Sequence, residues 1–176
     1  MNIKNFLLGL ACAAVIFIIV FATHKEDVIH ALTSFSLWLN THPAGPILVF
    51  LMIALTACPP MPGYSTMVIF TGFVYRMEGW FIASSAAVFG ASIVFLITRN
   101  FKIGFTMDRN WMVIAKIIEK KGLWFVLLLR LAPSPFNLSN VIFAVTKVKY
   151  STFASATALS TIKLLMHVYL GSFVLI

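Results

Sequence analysis

An uncharged run that proline interrupts near its middle constrains this chain more than any other feature. Residues 44–75 carry no charged side chain, and the stretch "CPPMPG" at residues 58–63 divides them into two arms of about 12 or 13 residues. Proline lacks an amide donor and ends helices. A helix needs about 20 residues to cross a bilayer, so neither arm spans one. We expect a re-entrant hairpin that enters and leaves on one side; one long kinked helix is the alternative.

The composition indicates an integral membrane protein. Of the 176 residues, 61% are hydrophobic and only 10% are charged, whereas a soluble domain has about 25% charged residues. The length allows one membrane domain and no separate soluble one. The net charge of +8 comes from basic residues between apolar segments. This arrangement indicates membrane topology and contact with anionic lipid headgroups, and we expect no nucleic-acid partner.

Two further apolar segments flank the interrupted run. Residues 6–22 are uncharged after Lys4, and we expect a retained membrane anchor there, with a cleaved secretory signal as the alternative. A polar linker completes residues 1–43, and residues 44–176 form the membrane domain. Residues 79–98 are long enough for a full span. Small residues recur at every fourth position of that span and favour close approach of another helix: Gly79, Ala83, Ala87 and Ala91.

A basic connector, residues 99–121, follows this span. It holds six basic and two acidic residues. Trp111, Ile114 and Ile118 fall on one helical face, as in an amphipathic helix at the membrane interface; an ordinary solvated helix packed on the protein is the alternative. Because positively charged loops stay on the cytoplasmic side, we expect the connector to be cytoplasmic.

The pattern of arm, proline break and arm then recurs. Residues 122–129 and 138–145 are apolar and flank "RLAPSPFN" at residues 130–137. At an offset of 73, Pro60 and Pro62 align with Pro133 and Pro135. With one crossing between the copies, residues 44–98 and 122–176, the second hairpin enters from the opposite face. We therefore predict an all-α integral membrane protein, an inverted repeat of two re-entrant helical hairpins that are each followed by a transmembrane helix.

Polar residues at the second break predict a site. Arginine at the bilayer centre costs about 2.5–3.5 kcal/mol and needs partners or water. Irregular backbone is tolerated where it lines a wet cavity, so Arg130 predicts a polar crevice that accepts phosphate or an ion; the alternative is that Arg130 snorkels to the interface. Lys163 and His167 either line the same cavity or mark an interfacial helix end. The candidate residues for a lipid-headgroup crevice are Pro60, Pro62, Gly63, Arg130, Pro133, Pro135, Asn137, Asn140 and Lys163; Asn137 and Asn140 are expected to satisfy loose backbone groups there.

The sequence contains no enzyme constellation. It has no GxSxG motif, no Walker loop and no paired carboxylates in an apolar segment. Cys12 and Cys58 lie in apolar stretches without CxxC spacing, which is typical of buried small hydrophobes. We therefore expect no enzymatic activity, no cofactor and no metal site.

Four stretches together carry a family resemblance: "PPMPGYSTMVIFTGFVYRMEGW", "FGASIVFLITR", "LRLAPSPFNLSNVIF" and "STIKLLMHVYLGS". Over residues 43–172 the chain resembles the VTT-domain superfamily, which includes the DedA and SNARE-associated Golgi proteins. The last two stretches look most like fungal late-Golgi vesicle membrane proteins. The resemblance implies two inverted re-entrant hairpins plus transmembrane helices, a Golgi membrane location, and roles in vesicle traffic that for some members include phospholipid scrambling or lipid-carrier transport.

Motif positions of the family, carried onto this chain, are Pro60, Pro62 and Gly63 in the first hairpin and Arg130, Pro133, Pro135 and Asn140 in the second. Tyr64 stands where many bacterial relatives have an acidic residue, and Arg76 where relatives often have glycine. Members usually continue with a further helix after the "GS" motif, so truncation of the second repeat at its C-terminus stays open.

Three functions follow as expectations. The first is a Golgi-membrane protein in which phospholipid headgroups move through a crevice between the two hairpins, with membrane phospholipids as partners. The second is a membrane adaptor without transport activity, which binds trafficking proteins through residues 99–121. The third is an ion- or proton-coupled transporter, against which Tyr64 argues. The sequence does not determine the oligomeric state.

Overall fold

The computed structural model describes residues 25–59, 61–101, 117–118, 122–132 and 136–173. Every regular element in this part of the chain is a helix, as predicted. The predicted anchor at residues 6–22, most of the connector, and Pro60, Pro133 and Pro135 lie outside the described residues. The main helices are α1 (Lys25–Thr41), α2 (Gly45–Thr56), α3 (Tyr64–Tyr75), α4 (Gly79–Asn100), α5 (Leu123–Leu131), α6 (Phe136–Val145), α7 (Tyr150–Ser160) and α8 (Leu164–Ser172).

Two helical intervals in the described part are long and apolar enough to cross a membrane. They are Tyr64–Asn100 and Tyr150–Ser172. A third candidate is the pair Glu26–Thr41 and Gly45–Thr56, if its two helices count as one span although they are bent by 116°. Within the expected polar linker, the chain is helical from Lys25 onward.

The first long interval changes direction at the 3₁₀ turn Arg76–Glu78. A Cβ atom added to Gly79 would lie 2.7 Å from the carbonyl oxygen of Thr71. These residues are eight positions apart and would be separated by about 12 Å along a straight helix. The helices α3 and α4 therefore fold against each other at this turn.

Small residues let the helices approach closely. In the predicted stripe of α4, Ala83, Ala87 and Ala91 are fully buried, and a Cβ on Gly90 would lie 2.7 Å from the carbonyl oxygen of Ala54 in α2. Between α3 and α8, a Cβ on Gly72 would collide with the backbone of Val168. Backbone contact of this kind is how helices associate in lipid.

The helix contacts follow a common pattern in the two halves. Helix α2 packs on α4, and α5 packs on α7. Helix α3 packs on α8, and α6 packs on α4. At the sequence offset of 73, α2 aligns with α5, α3 with α6, and α4 with the α7–α8 pair, so these four contacts form two equivalent pairs. The large apolar side chains that remain exposed on these helices, such as Trp124 and Phe81, provide the surface that a bilayer would cover.

Candidate functional site

A cavity of about 1330 Å³ lies between the two proline breaks. Its wall includes the first break with the start of α3, the two edges of the second break, the end of α4 and the start of α8. Most lining residues are apolar, and the polar ones include Ser65, Thr98 and His167. The cavity brings together four of the predicted site residues: Pro62, Gly63, Asn137 and Lys163.

The two breaks are joined by asparagine side chains of α6. The Nδ2 atom of Asn140 donates a hydrogen bond of 3.1 Å to the carbonyl oxygen of Ala57, and Nδ2 of Asn137 donates to the carbonyl oxygen of Met61. Ala57 is the C-cap of α2, and the prolines that follow have no amide hydrogen to offer its carbonyl. The asparagines were expected to satisfy backbone groups of their own break, but their partners lie at the first break.

Arg130 lies behind the cavity wall and is enclosed by protein. Its side chain is 1% exposed, and it does not line the cavity. The guanidinium carbon lies 4.8 Å from the ring centroids of Phe136 and Phe153 and 5.3 Å from that of Phe143, which is cation–π distance. Its Nη1 atom lies 3.5 Å from Oγ of Ser139, whereas Nε and Nη2 are buried without a hydrogen-bond partner in the described part of the chain.

Lys163 connects this buried arginine to the cavity. It lies in the 3₁₀ turn Thr161–Lys163 between α7 and α8, and its Nζ atom donates to the carbonyl oxygen of Arg130 in the last turn of α5. Carbonyl groups at a helix C-terminus are unsatisfied and favour a cation. His167, whose Nδ1 lies 3.3 Å from the carbonyl oxygen of Lys163, also lines the cavity. Both residues therefore line this cavity, whereas Arg130, with which they were expected to share it, does not.

Aromatic residues complete the site and were missed in the sequence. Tyr64 stacks on Phe136 with ring centroids 4.2 Å apart and planes 10° apart, and both rings line the cavity. The hydroxyl group of Tyr64 is buried without a partner among the described residues. Phe136 and Phe143 are seven positions apart, so two helical turns place them on the same face of α6. This spacing was a signal, but it is also typical of a core helix.

The described residues hold no group of three side chains that could bind a metal ion, and no carboxylate is among the described residues of the cavity wall. A ligand in this cavity would therefore contact an apolar wall and the positive charge of Lys163. The second cation, Arg130, is buried and contacts the ring of Phe136, which lines the cavity.

Broken apolar helices around a cavity define an α-helical membrane protein with discontinuous helices. The chain belongs to the VTT domain family, whose model matches residues 58–173, and the resemblance found in the sequence is thereby confirmed.

Several fungal relatives are named Golgi apparatus membrane protein TVP38. The one from Vanderwaltozyma polyspora is 32% identical over 157 residues, which are 84% of this chain and 49% of the relative. The one from Coprinopsis cinerea is 31% identical over 135 residues, 73% of this chain and 46% of the relative. The one from Sclerotinia sclerotiorum is 28% identical over 165 residues, 90% of this chain and 42% of the relative. This chain thus spans less than half the length of these relatives. No solved structure matches it.

Proposed function

We propose that this chain is an integral Golgi membrane protein that moves phospholipids across or between membranes, through the cavity between its two proline breaks, in support of vesicular traffic. The Golgi location rests on the relatives named Golgi apparatus membrane protein. The observation that carries the lipid proposal is a large apolar cavity whose wall holds a lysine and, among its described residues, no carboxylate.

The shape of the cavity suits a lipid. Ligand pockets usually enclose about 300–1,000 Å³, so a cavity of about 1330 Å³ has room for a headgroup and part of an acyl chain. Two of its lining residues, Met166 and Leu170, are 71% and 58% exposed. The cavity therefore reaches the outer apolar surface, and a lipid could enter it sideways from the bilayer.

The proposed membrane arrangement is an inverted repeat of two re-entrant hairpins. The matched helix contacts of the two halves support the repeat. The buried bond from Asn140 to Ala57 supports a meeting of the breaks inside the protein, because polar backbone at membrane depth must be satisfied internally. The exposed bond from Asn137 to Met61 extends this contact to the cavity wall. We further propose that the basic connector is cytoplasmic, in accord with the positive-inside rule.

Passage through such a cavity requires no bond to form or break. We therefore propose a transport role without enzymatic activity, cofactor or metal. Lys163 would attract the phosphate of a headgroup, while the apolar wall accommodates the acyl chains. The ion-coupled alternative lacks support from any carboxylate in the described cavity wall.

Transbilayer exchange of labelled phospholipid in liposomes tests the proposal. The full chain is reconstituted with fluorescent phosphatidylserine, and a membrane-impermeant quencher reports the lipid that reaches the outer leaflet. We expect exchange well above that of protein-free liposomes. Lys163→Gln keeps a hydrogen-bond donor but removes the charge, and should slow exchange about tenfold, equivalent to about 1.4 kcal/mol. Lys149→Gln removes a charge from an exposed residue away from the cavity and serves as the matched control.

The adaptor alternative predicts a different outcome. If trafficking proteins bind the connector and the membrane part is only an anchor, the folded protein should not accelerate exchange at all. Lys163→Gln should then leave vesicle traffic in cells intact. Exchange at the protein-free rate in a folded sample would contradict the lipid proposal.

A further inference from the structure

Arg130 is a buried cation with unused hydrogen-bonding capacity. Its Nε and Nη2 atoms have no partner in the described part of the chain, and the bond from its Nη1 atom to Oγ of Ser139 is long at 3.5 Å. A buried charge is costly unless it is paired. Three aromatic faces attract the guanidinium but accept no hydrogen bond in its plane. The site therefore offers two charge-assisted donors to an anion.

One aromatic side chain contacts both the cavity and Arg130. Phe136 lines the cavity and also lies 4.8 Å from the guanidinium carbon of Arg130. Tyr64 stacks on Phe136 and is also part of the cavity wall. The stack joins α3 of the first half to α6 of the second, so movement between the two breaks would part the two rings.

We propose that Tyr64 and Phe136 form an aromatic gate, and that Arg130 behind it is a subsite for a phosphate oxyanion that enters from the cavity. The inference rests on the proposed function and deepens it, because it assigns a second phosphate position beyond Lys163. With the gate closed, a headgroup reaches Lys163 only. With the rings parted, the phosphate reaches Nε and Nη2 of Arg130.

Chemical modification of Arg130 tests the gate without reference to transport. The folded full chain in micelles is treated with p-hydroxyphenylglyoxal, which reacts with arginine, and modification of each arginine is measured by mass spectrometry. Tyr64→Ala removes half of the stack and should raise the modification rate of Arg130 about fivefold, in keeping with the strength of an aromatic pair. Tyr64→Phe keeps the stack and should react as the native chain does.

Two internal references detect unfolding. Arg76 is exposed, so its modification rate is the reference for a fully accessible arginine. Arg99 is half-buried and donates to the carbonyl oxygen of Thr146, so its modification rises only if the helices separate. Tyr169→Ala removes an exposed tyrosine outside the gate and is the matched control. An unchanged rate at Arg130 in Tyr64→Ala, or a parallel rise at Arg99, would overturn the gate.

Protection by anions tests the subsite. In the Tyr64→Ala chain, dihexanoyl phosphatidic acid should slow the modification of Arg130. Protection by this lipid alone supports a headgroup subsite, and equal protection by inorganic phosphate supports an oxyanion site that free phosphate also occupies. If neither compound slows the modification of Arg130, the proposed subsite is overturned. Because these readouts do not involve exchange, a working gate without lipid exchange would reject only the proposed function, and exchange without a gate would reject only this inference.

Discussion

The two proline breaks occupy equivalent places in the two halves of the chain but carry opposite chemistry. The first break presents acceptors, the carbonyl oxygens of Ala57 and Met61. The second break and the first turns of α6 supply donors: the guanidinium of Arg130 and the amide groups of Asn137 and Asn140. The carbonyl oxygens of Ala57 and Met61 are therefore satisfied from the second half and not by their own break. The main helix contacts of the two halves are matched, whereas the polar groups are complementary: the second half donates hydrogen bonds to the carbonyl oxygens of the first.

The largest effect should come from a glycine that permits close helix packing and has no glycine at the aligned position of the other half. A Cβ on Gly72 would collide with the backbone of Val168, so Gly72→Ala should destabilise the fold by about 3 kcal/mol, as overpacking does. The aligned position in the second half is Val145, which is exposed. Val145→Ala should therefore change stability by less than about 0.5 kcal/mol. Unfolding of both variants in mixed micelles with increasing dodecyl sulfate measures the difference, and equal effects would contradict the account.

A smaller effect should follow from removing one donor of the second break. Asn140→Leu keeps the side-chain volume but leaves the buried carbonyl oxygen of Ala57 unpaired, at a cost of about 1–2 kcal/mol. Asn137 is only half-buried, and water can replace its bond to Met61. Asn137→Leu should therefore cost about half as much or less. The same unfolding assay ranks the two variants, and a larger loss for Asn137→Leu would count against the assignment of Asn140 as the buried link.

The smallest effect concerns the turns after the second arms and should differ in sign between the halves. Arg76 has φ 52° and ψ −140°, a region that favours glycine, so Arg76→Gly should stabilise the fold by about 1 kcal/mol after the entropy cost of glycine. The aligned residue, Lys149, has φ −65°. Lys149→Gly should therefore destabilise slightly, by less than about 1 kcal/mol. If Arg76→Gly unfolds at a lower dodecyl sulfate midpoint than the native chain, the backbone of this turn carries no strain.

Local sequence signals predicted much of the fold. The proline clusters predicted where α2 ends and where α3 and α6 begin near the breaks, because proline acts on its immediate neighbours. The small-residue stripe of α4 predicted its close packing, since Gly79, Ala83 and Ala87 recur at helical spacing. The two breaks could be aligned because the proline positions and the small-residue stripe both recur at the offset of 73 residues. The bend of 116° between α1 and α2 falls at "HPAGP", residues 42–46. Proline and glycine signal a turn there, but the residues before it were expected to be a polar linker and not a helix.

The site was predicted only in part, because its decisive features depend on contacts between distant residues. Asn137 and Asn140 were expected to satisfy nearby backbone, but their partners lie 76 and 83 positions away. Arg130 was expected either to line a crevice or to snorkel. Its enclosure by Phe136, Phe143 and Phe153 follows from the packing of α6 on α4 and of α5 on α7, which the sequence of one helix does not specify.

The central claim, that the two breaks meet inside the protein, is tested most directly by cross-linking in intact membranes. Met61→Cys and Asn137→Cys are introduced together into a chain in which Cys12 and Cys58 are replaced by serine, and a short bismaleimide is added. We expect efficient intramolecular cross-linking of this pair. The control pair, Met61→Cys with Lys149→Cys, should not react, because the length of α6, about 15 Å, separates residue 149 from the break. Cross-linking of the control pair but not of the pair at residues 61 and 137 would contradict the account.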